Sequence, residues 1–185
     1  MIDLDALRSI VKTRITSHRI VHTLCVEREA DALAWRWGAD RVVCRAAALL
    51  HDITKDLTLD AQLKLCKKCD IVTTHLETGK LLHAMTGAAL ARHEFEMPEN
   101  VVTAVRWHTT GRAGMSTEEK IIYLADYVDS TRRFDGVADL RRLAFNNLDA
   151  ACLLGFDISI RNQLDNGNPI CPATIQARNA LLVYE

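Results

Sequence analysis

Between Ala46 and Asp56 the chain reads AAALLHDITKD, an apolar run that ends in a histidine and an aspartate side by side, with Lys55 four residues past the histidine. Val42 and Val43 extend the run backwards, so the helix it forms is apolar around most of its circumference. Such a helix is buried inside a bundle rather than laid on its surface. Its end carries His51 and Asp52 inwards, where polar groups need partners. An imidazole and a carboxylate offered to one point in space suit a divalent metal of intermediate hardness. A His-Asp dipeptide proves little by itself; the rest of the chain decides.

Nearly every other segment repeats with the helical period. Leu4, Leu7, Ile10 or Val11, and Ile15 mark a helix over 3–15. Ser17 is placed to cap a long helix that runs to Trp37, with Gly38 at the stop position, and Asp40 starts the apolar helix. Asp60 is placed to cap a short helix ending near Cys66 and Cys69. Helix is expected from about Leu76 to Glu94, then after Pro98 from Glu99 to His108, where Thr109-Thr110-Gly111 breaks it. Ser116 with Glu119 has the form of a capping box and opens a helix from Thr117 to about Ser130. A further helix over 137–154 is expected to end at Gly155, and Pro172 opens a last one after the loop Asn166-Gly167-Asn168-Pro169. No segment reads as a strand and no repeat is visible. The expectation is one all-α domain over 1–185, a bundle of about eight or nine helices.

Composition excludes several function classes. With 49% hydrophobic and 25% charged residues, 185 residues suit one domain with a sizeable core. Only three prolines and eight glycines leave little room for a disordered linker. The net charge is −1 and Lys and Arg are scattered, so no footprint for nucleic acid is visible. No 18-residue apolar run occurs, and MIDLDALRSI lacks a basic segment ahead of an apolar one. No membrane partner is expected, and the expected location is cytoplasmic. The six cysteines lack a disulfide-scaffold spacing, so reduced thiols are expected. Cys66 and Cys69 form a lone CKKC without a second pair for zinc and without βαβ context. Trp35, Trp37 and the first helix could supply the apolar face of a homodimer; burial in the core explains them equally well.

Of seven histidines, four fall on separate expected helices: His22, His51, His83 and His108. Asp126 lies on a fifth, which gives the pattern H-x28-HD-x30-H-x24-H-x17-D. Each has apolar neighbours, and metal coordination would satisfy several such inward polar groups together. Taken singly, each is more commonly a core residue with one hydrogen bond. His18 shares a helical face with His22 as an i,i+4 neighbour, and His75 and His93, in polar company, read as surface residues.

In this order and spacing the set resembles the HD superfamily of metal-dependent phosphohydrolases, and His83 and His108 resemble additions of its binuclear form. The strings RIVHT, AALLHDITKD, LLHAMTGA, VRWHTTGR, IIYLADYVDSTRRFDGV and LRRLAF resemble one family more closely, over about Ser17 to the last helix. That family is the bacterial YqeK-like symmetrical bis(5′-nucleosyl)-tetraphosphatases. The resemblance implies that His22, His51, Asp52 and Asp126 hold one divalent metal, and that Asp52 bridges to a second held by His83 and His108. It implies iron; with no thiolate in the set, manganese and zinc also suit the donors. Four neutral imidazoles and two carboxylates leave a site with two divalent ions cationic, as a polyphosphate chain requires. The implied reaction is attack of a metal-activated water in the middle of the tetraphosphate, releasing two ADP. Asp52 and Lys55 would be catalytic, with Lys55 reaching charge that builds on the phosphoryl group or leaving oxygen. Thr109, Thr110 and Gly111 would cradle phosphate or merely end a helix. Arg132 resembles the family's phosphate-contacting arginine, with Arg133 beside it as a rival. Arg112 and Arg19 are weaker candidates, as surface groups or partners of the ligands.

Asp129-Ser130 stands where the family has Glu-Pro, and Asp135 where a proline is usual. Nucleotide contacts near them are left open. A general HD nucleotidase or cyclic-dinucleotide phosphodiesterase would use the same metals. A non-catalytic nucleotide-binding module would normally lack a ligand, and here all six positions are present.

Overall fold

The structure, a computed structural model, describes residues 2–73 and 79–182. Among these residues there are ten helices and no strand: α1 Leu4–Arg14, α2 Ser17–Trp37, α3 Arg41–Leu50, α4 Leu59–Lys68, α5 Gly79–His93, α6 Glu99–Trp107, α7 Thr117–Val128, α8 Val137–Asn146, α9 Leu148–Asp165 and α10 Pro172–Ala180. The expected start of α5 near Leu76, and His75, lie outside the described residues.

Local capping chemistry sets several boundaries. The Asp3 side chain accepts from Asp5 and Ala6 amides, and Asp40 does the same for Val42 and Val43. The capping box of Ser116 and Glu119 is formed at α7, and Gly38 closes α2 in the left-handed conformation at φ 66°. Two expected caps are corrected. Thr16, not Ser17, precedes α2, and its hydroxyl is turned away to Asp56 Oδ2 at 3.0 Å. Thr58, not Asp60, caps α4 by accepting from the Ala61 amide, which leaves Asp60 in the first turn.

The expected helix over 137–154 is two helices. Asn147, at φ −152° and ψ 104°, breaks the chain, and its side chain accepts from the Ala150 amide to start α9. Gly155 does not end that helix. It lies within it, where a Cβ would come 3.0 Å from the Tyr123 ring, so its bare backbone lets α9 approach α7. α9 therefore continues to Asp165.

α3 is the centre of the bundle and packs on α1, α2, α5, α6 and α7. From Ala46 to Leu50 no residue is more than 1% exposed. Its own Leu49 and Leu50 are buried with Leu33 of α2 and Ile121 and Leu124 of α7, each contributing about 1.5–3 kcal/mol through removal of apolar surface from water. Glu27, only 6% exposed, is paired by Arg8 and Arg45, which ties α1, α2 and α3 without an uncompensated charge. Val11 rather than Ile10 turns inwards on α1. The tryptophans divide: Trp37 donates to the Ala144 carbonyl at 2.8 Å and packs on the core, whereas Trp35 is 74% exposed. Among the described residues, no helix is long and apolar enough to cross a membrane.

Candidate metal centre

Five helices converge at the end of α3. His22 comes from α2, His83 from α5 and Asp126 from α7; His51 and His108 are the residues that terminate α3 and α6. The two terminating histidines use the same local device. His51 Nδ1 lies 2.7 Å from the Ala48 carbonyl, and His108 Nδ1 lies 2.7 Å from the Val105 carbonyl. A carbonyl only accepts, so each Nδ1 carries the proton and each Nε2 is left with a lone pair facing inwards.

Those lone pairs meet others. His51 Nε2 is 3.3 Å from His22 Nε2, and His108 Nε2 is 3.1 Å from His83 Nε2. Asp52 stands between the two pairs and is 3% exposed. Its Oδ2 is 3.8 Å from His22 Nε2 and 3.6 Å from His51 Nε2; its Oδ1 is 3.2 Å from His83 Nε2 and 3.9 Å from His108 Nε2. One carboxylate thus presents an oxygen to each histidine pair. Asp52 Oδ1 is buried without a hydrogen bond, although Lys55 Nζ lies 3.5 Å away and itself reaches His83 Nε2 at 3.0 Å. Asp126 completes the His22 side at 3.2 Å from Nε2.

Converging lone pairs and an unbonded buried carboxylate oxygen are what a cation would satisfy. His22, His51 and Asp52 form one group of donors within 4.8 Å of one another, and Asp52, His83 and His108 form a second. The donors are nitrogen and oxygen only, so the residues fit two divalent ions of intermediate hardness sharing Asp52.

The electrostatics differ between the two sides of the donor set. Burial pulls the His108 imidazole well below its ordinary value, reinforced by His83 and His51, and burial likewise lowers His83. Burial also pulls His22 down, but the neighbouring Asp126 and Asp129 carboxylates outweigh it and push this ring up to about 9. Asp52 and Asp126 are held well below the usual carboxylate range. Burial opposes this, but the pull of the neighbouring His51, His83 and Lys55 side chains prevails at Asp52, and that of His22 prevails at Asp126. Both carboxylates are ionised and available as ligands.

The remaining expected residues separate. Arg132 donates from Nε to the Asp126 carbonyl at 2.7 Å, pairs with the Asp126 carboxylate, and lines a cavity beside it; Arg133 is exposed and bonds the Ser130 and Arg132 carbonyls. Thr109 lines a second cavity. Thr110 is buried with its hydroxyl donating to the Gly111 carbonyl, and Gly111 packs against Phe156 and Ala177, so neither is brought to either cavity. Arg19 pairs with Asp52 and, at 2.7 Å, with Asp56. Arg112 is spent on Glu119. His93 is exposed, as expected, and so is His18, which shares the His22 helix but not its burial.

The HD domain family model matches residues 19–131 of this chain. A symmetrical bis(5′-nucleosyl)-tetraphosphatase of Halalkalibacterium halodurans is 38% identical over 178 residues, covering 95% of each chain. The Bacillus subtilis protein of the same name is 34% identical over 175 residues, covering 93% of this chain and 94% of its own. This chain belongs to the HD family and, within it, to the symmetrical bis(5′-nucleosyl)-tetraphosphatases. The same fold occurs in the crystal structure of an HD superfamily hydrolase of Clostridium acetobutylicum described as involved in NAD metabolism. That protein is 34% identical, with a TM-score of 0.93 over 98% of this chain and 97% of the other.

In this HD-family chain, sequence reasoning missed one residue of the centre. Asp129 is fully buried, with Oδ2 3.4 Å from His22 Nδ1 and 3.2 Å from Arg132 Nε, while Oδ1 accepts from the Thr131 amide at 2.8 Å. It forms a third donor group with His22 and Asp126. Its position three residues after Asp126, on the same helical face, was the available signal. From α8, Arg141 donates to the Val128 and Asp129 carbonyls at 2.6 and 2.7 Å and pins the turn that presents Asp129 and Arg132.

Proposed function

We propose that this HD-family chain hydrolyses dinucleoside tetraphosphates symmetrically to two nucleoside diphosphates at a centre of two divalent ions. The observation that carries the reading is Asp52, whose two oxygens face two histidine pairs. His22, His51, Asp52 and Asp126 would hold one ion, and Asp52, His83 and His108 the other. The relatives' printed name, symmetrical bis(5′-nucleosyl)-tetraphosphatase, supports the substrate and the bond cleaved. When bound, such ions supply an activated water and neutralise non-bridging phosphate oxygens. Iron is the metal we favour. The six free cysteines fit a reducing cytoplasm, and one core running from α1 to α10 supports a single domain over 1–185.

The chain's own residues do the rest. Lys55 brings a cationic ammonium to the His83 side of the centre, where charge on the transferring phosphoryl group would build. Arg132 is fixed by Asp126 and Asp129 and remains 41% exposed, so its guanidinium can hold the polyphosphate while its orientation is set from behind. Asp129 Oδ2 faces His22 Nδ1 at 3.4 Å, where a slight approach would let it accept from the ring and orient it. Asp129→Ala should therefore weaken divalent-ion binding by about 10–100-fold without removing a ligand. Metal titration followed by elemental analysis checks this, and unchanged affinity would make Asp129 a structural acceptor only.

Product analysis on diadenosine tetraphosphate tests the function, with iron or manganese supplied under reducing conditions. ADP as sole product is expected. A mixture of ATP and AMP would overturn the bond assignment. No turnover with two ions bound would favour a general nucleotidase.

A further inference from the structure

One cavity opens on the centre, and α9 separates it from a second that starts one residue past His108. The larger, about 850 Å³, includes Lys55, Asp126 and Arg132 and continues along Tyr127, Phe134 and Ile158. The smaller, about 520 Å³, begins at Thr109, the residue after His108, and runs along Leu81, Ile160, Asn168 and Ile170. Gln163 of α9 lines both. Each volume is within the range of small-molecule sites, about 300–1,000 Å³. The smaller cavity has no part in the ion centre itself. Its first residue nevertheless carries a buried hydroxyl, Thr109 Oγ1, with no hydrogen-bond partner. The hydroxyl lies behind the cavity wall rather than in it, and a turn of the Thr109 side chain would bring it to a polar group of an occupant.

We infer that the smaller cavity is the site of the second nucleoside: one nucleoside of the substrate lies in the larger cavity, the polyphosphate crosses the ion centre, and the other nucleoside lies along Leu81, Ile160 and Ile170. The inference rests on the proposed function and extends it. A dinucleoside tetraphosphate has two equal arms, and a cut at its middle requires both to leave the centre in different directions. The ridge of α9 provides that divergence, because its residues alternate between the two cavities: Ser159 and Ile160 face one, Ile158 and Asn162 the other. The linings suit a base in each. Tyr127 and Phe134, with ring centroids 5.9 Å apart at 88°, offer aromatic surface in the larger cavity. The smaller offers aliphatic faces, with Asn168 and Ser159 for polar edges and Lys80 for phosphate. Chemically identical arms are thus held by different surfaces, and their affinities should differ.

The test is ADP stoichiometry on the ion-loaded full-length protein, by equilibrium dialysis. Two ADP per chain with unequal affinities are expected. Ile160→Trp, which fills the smaller cavity from α9, should leave one. Thr109→Val, which keeps the side-chain shape and removes the unbonded hydroxyl, should weaken the second ADP several-fold and leave the first unchanged. One ADP per chain in the parent protein, or two retained in Ile160→Trp with unchanged affinities, overturns the inference. Production of ADP alone from diadenosine tetraphosphate with a single ADP site would defeat this inference and spare the function. Two ADP sites with no hydrolysis would defeat the function and spare the second site.

Discussion

Asp52→Ala should abolish hydrolysis, by at least about 10³-fold, and should remove divalent-ion binding from both halves of the centre. Removing a single electrostatic donor from an active site already costs about 10²–10³ in rate. Asp52 is placed to do more, because its Oδ2 faces His22 and His51 and its Oδ1 faces His83 and His108. Without it, each half keeps two imidazoles, and only the His22 side keeps a carboxylate, from Asp126. The helices should persist by circular dichroism. Asp52 lies just beyond His51, the C-terminal cap of α3, and caps no helix N-terminus, and Arg19, its ion-pair partner, still has Asp56. Ion content by elemental analysis, read beside activity, decides the matter. Two ions retained per chain would refute a shared carboxylate, whatever happened to the rate.

Gly111→Ala should destabilise the protein by about 2–4 kcal/mol, the sum of two known costs. Gly111 has φ 63°, and a side chain in the left-handed region costs about 1 kcal/mol. A Cβ there would also lie 2.5 Å from Phe156 Cζ and 3.0 Å from Ala177 Cβ. Phe156 is fully buried and cannot swing aside freely, so this overpacking adds about 1–3 kcal/mol. Gly114 supplies the control. It has φ 68°, but nothing lies within 4 Å of its added Cβ, so Gly114→Ala should lose the backbone part alone. Urea unfolding of the two variants separates the effects. Equal losses would show that Phe156 yields and that the close approach is not what Gly111 serves.

The Gly111 case shows where linear reading stops. In sequence HTTGR follows a candidate ligand and invites a phosphate cradle. In the fold Thr110 and Gly111 are spent on the turn and on Phe156, a residue 45 positions away, and only Thr109 reaches a cavity. Gly155 is a second instance. Glycine both ends helices and permits close contact, and only the Tyr123 ring, on another helix, distinguishes the two meanings. Missing Asn147 as a cap had the opposite cause: its signal is local, but the apolar period runs through it and masks the break.

The sequence by itself determined that the chain is helical, where most helices begin and end, and which six polar side chains stand among apolar neighbours on successive helices. These properties follow from interactions within a few residues: backbone period, capping hydrogen bonds and the apolar face of each helix. Only the tertiary structure decided that one carboxylate divides its oxygens between two histidine pairs, that Asp129 lies against His22, and that α9 parts two cavities. Each of these depends on residues far apart in the chain meeting at distances of a few ångströms, and packing between helices, not local propensity, sets such distances.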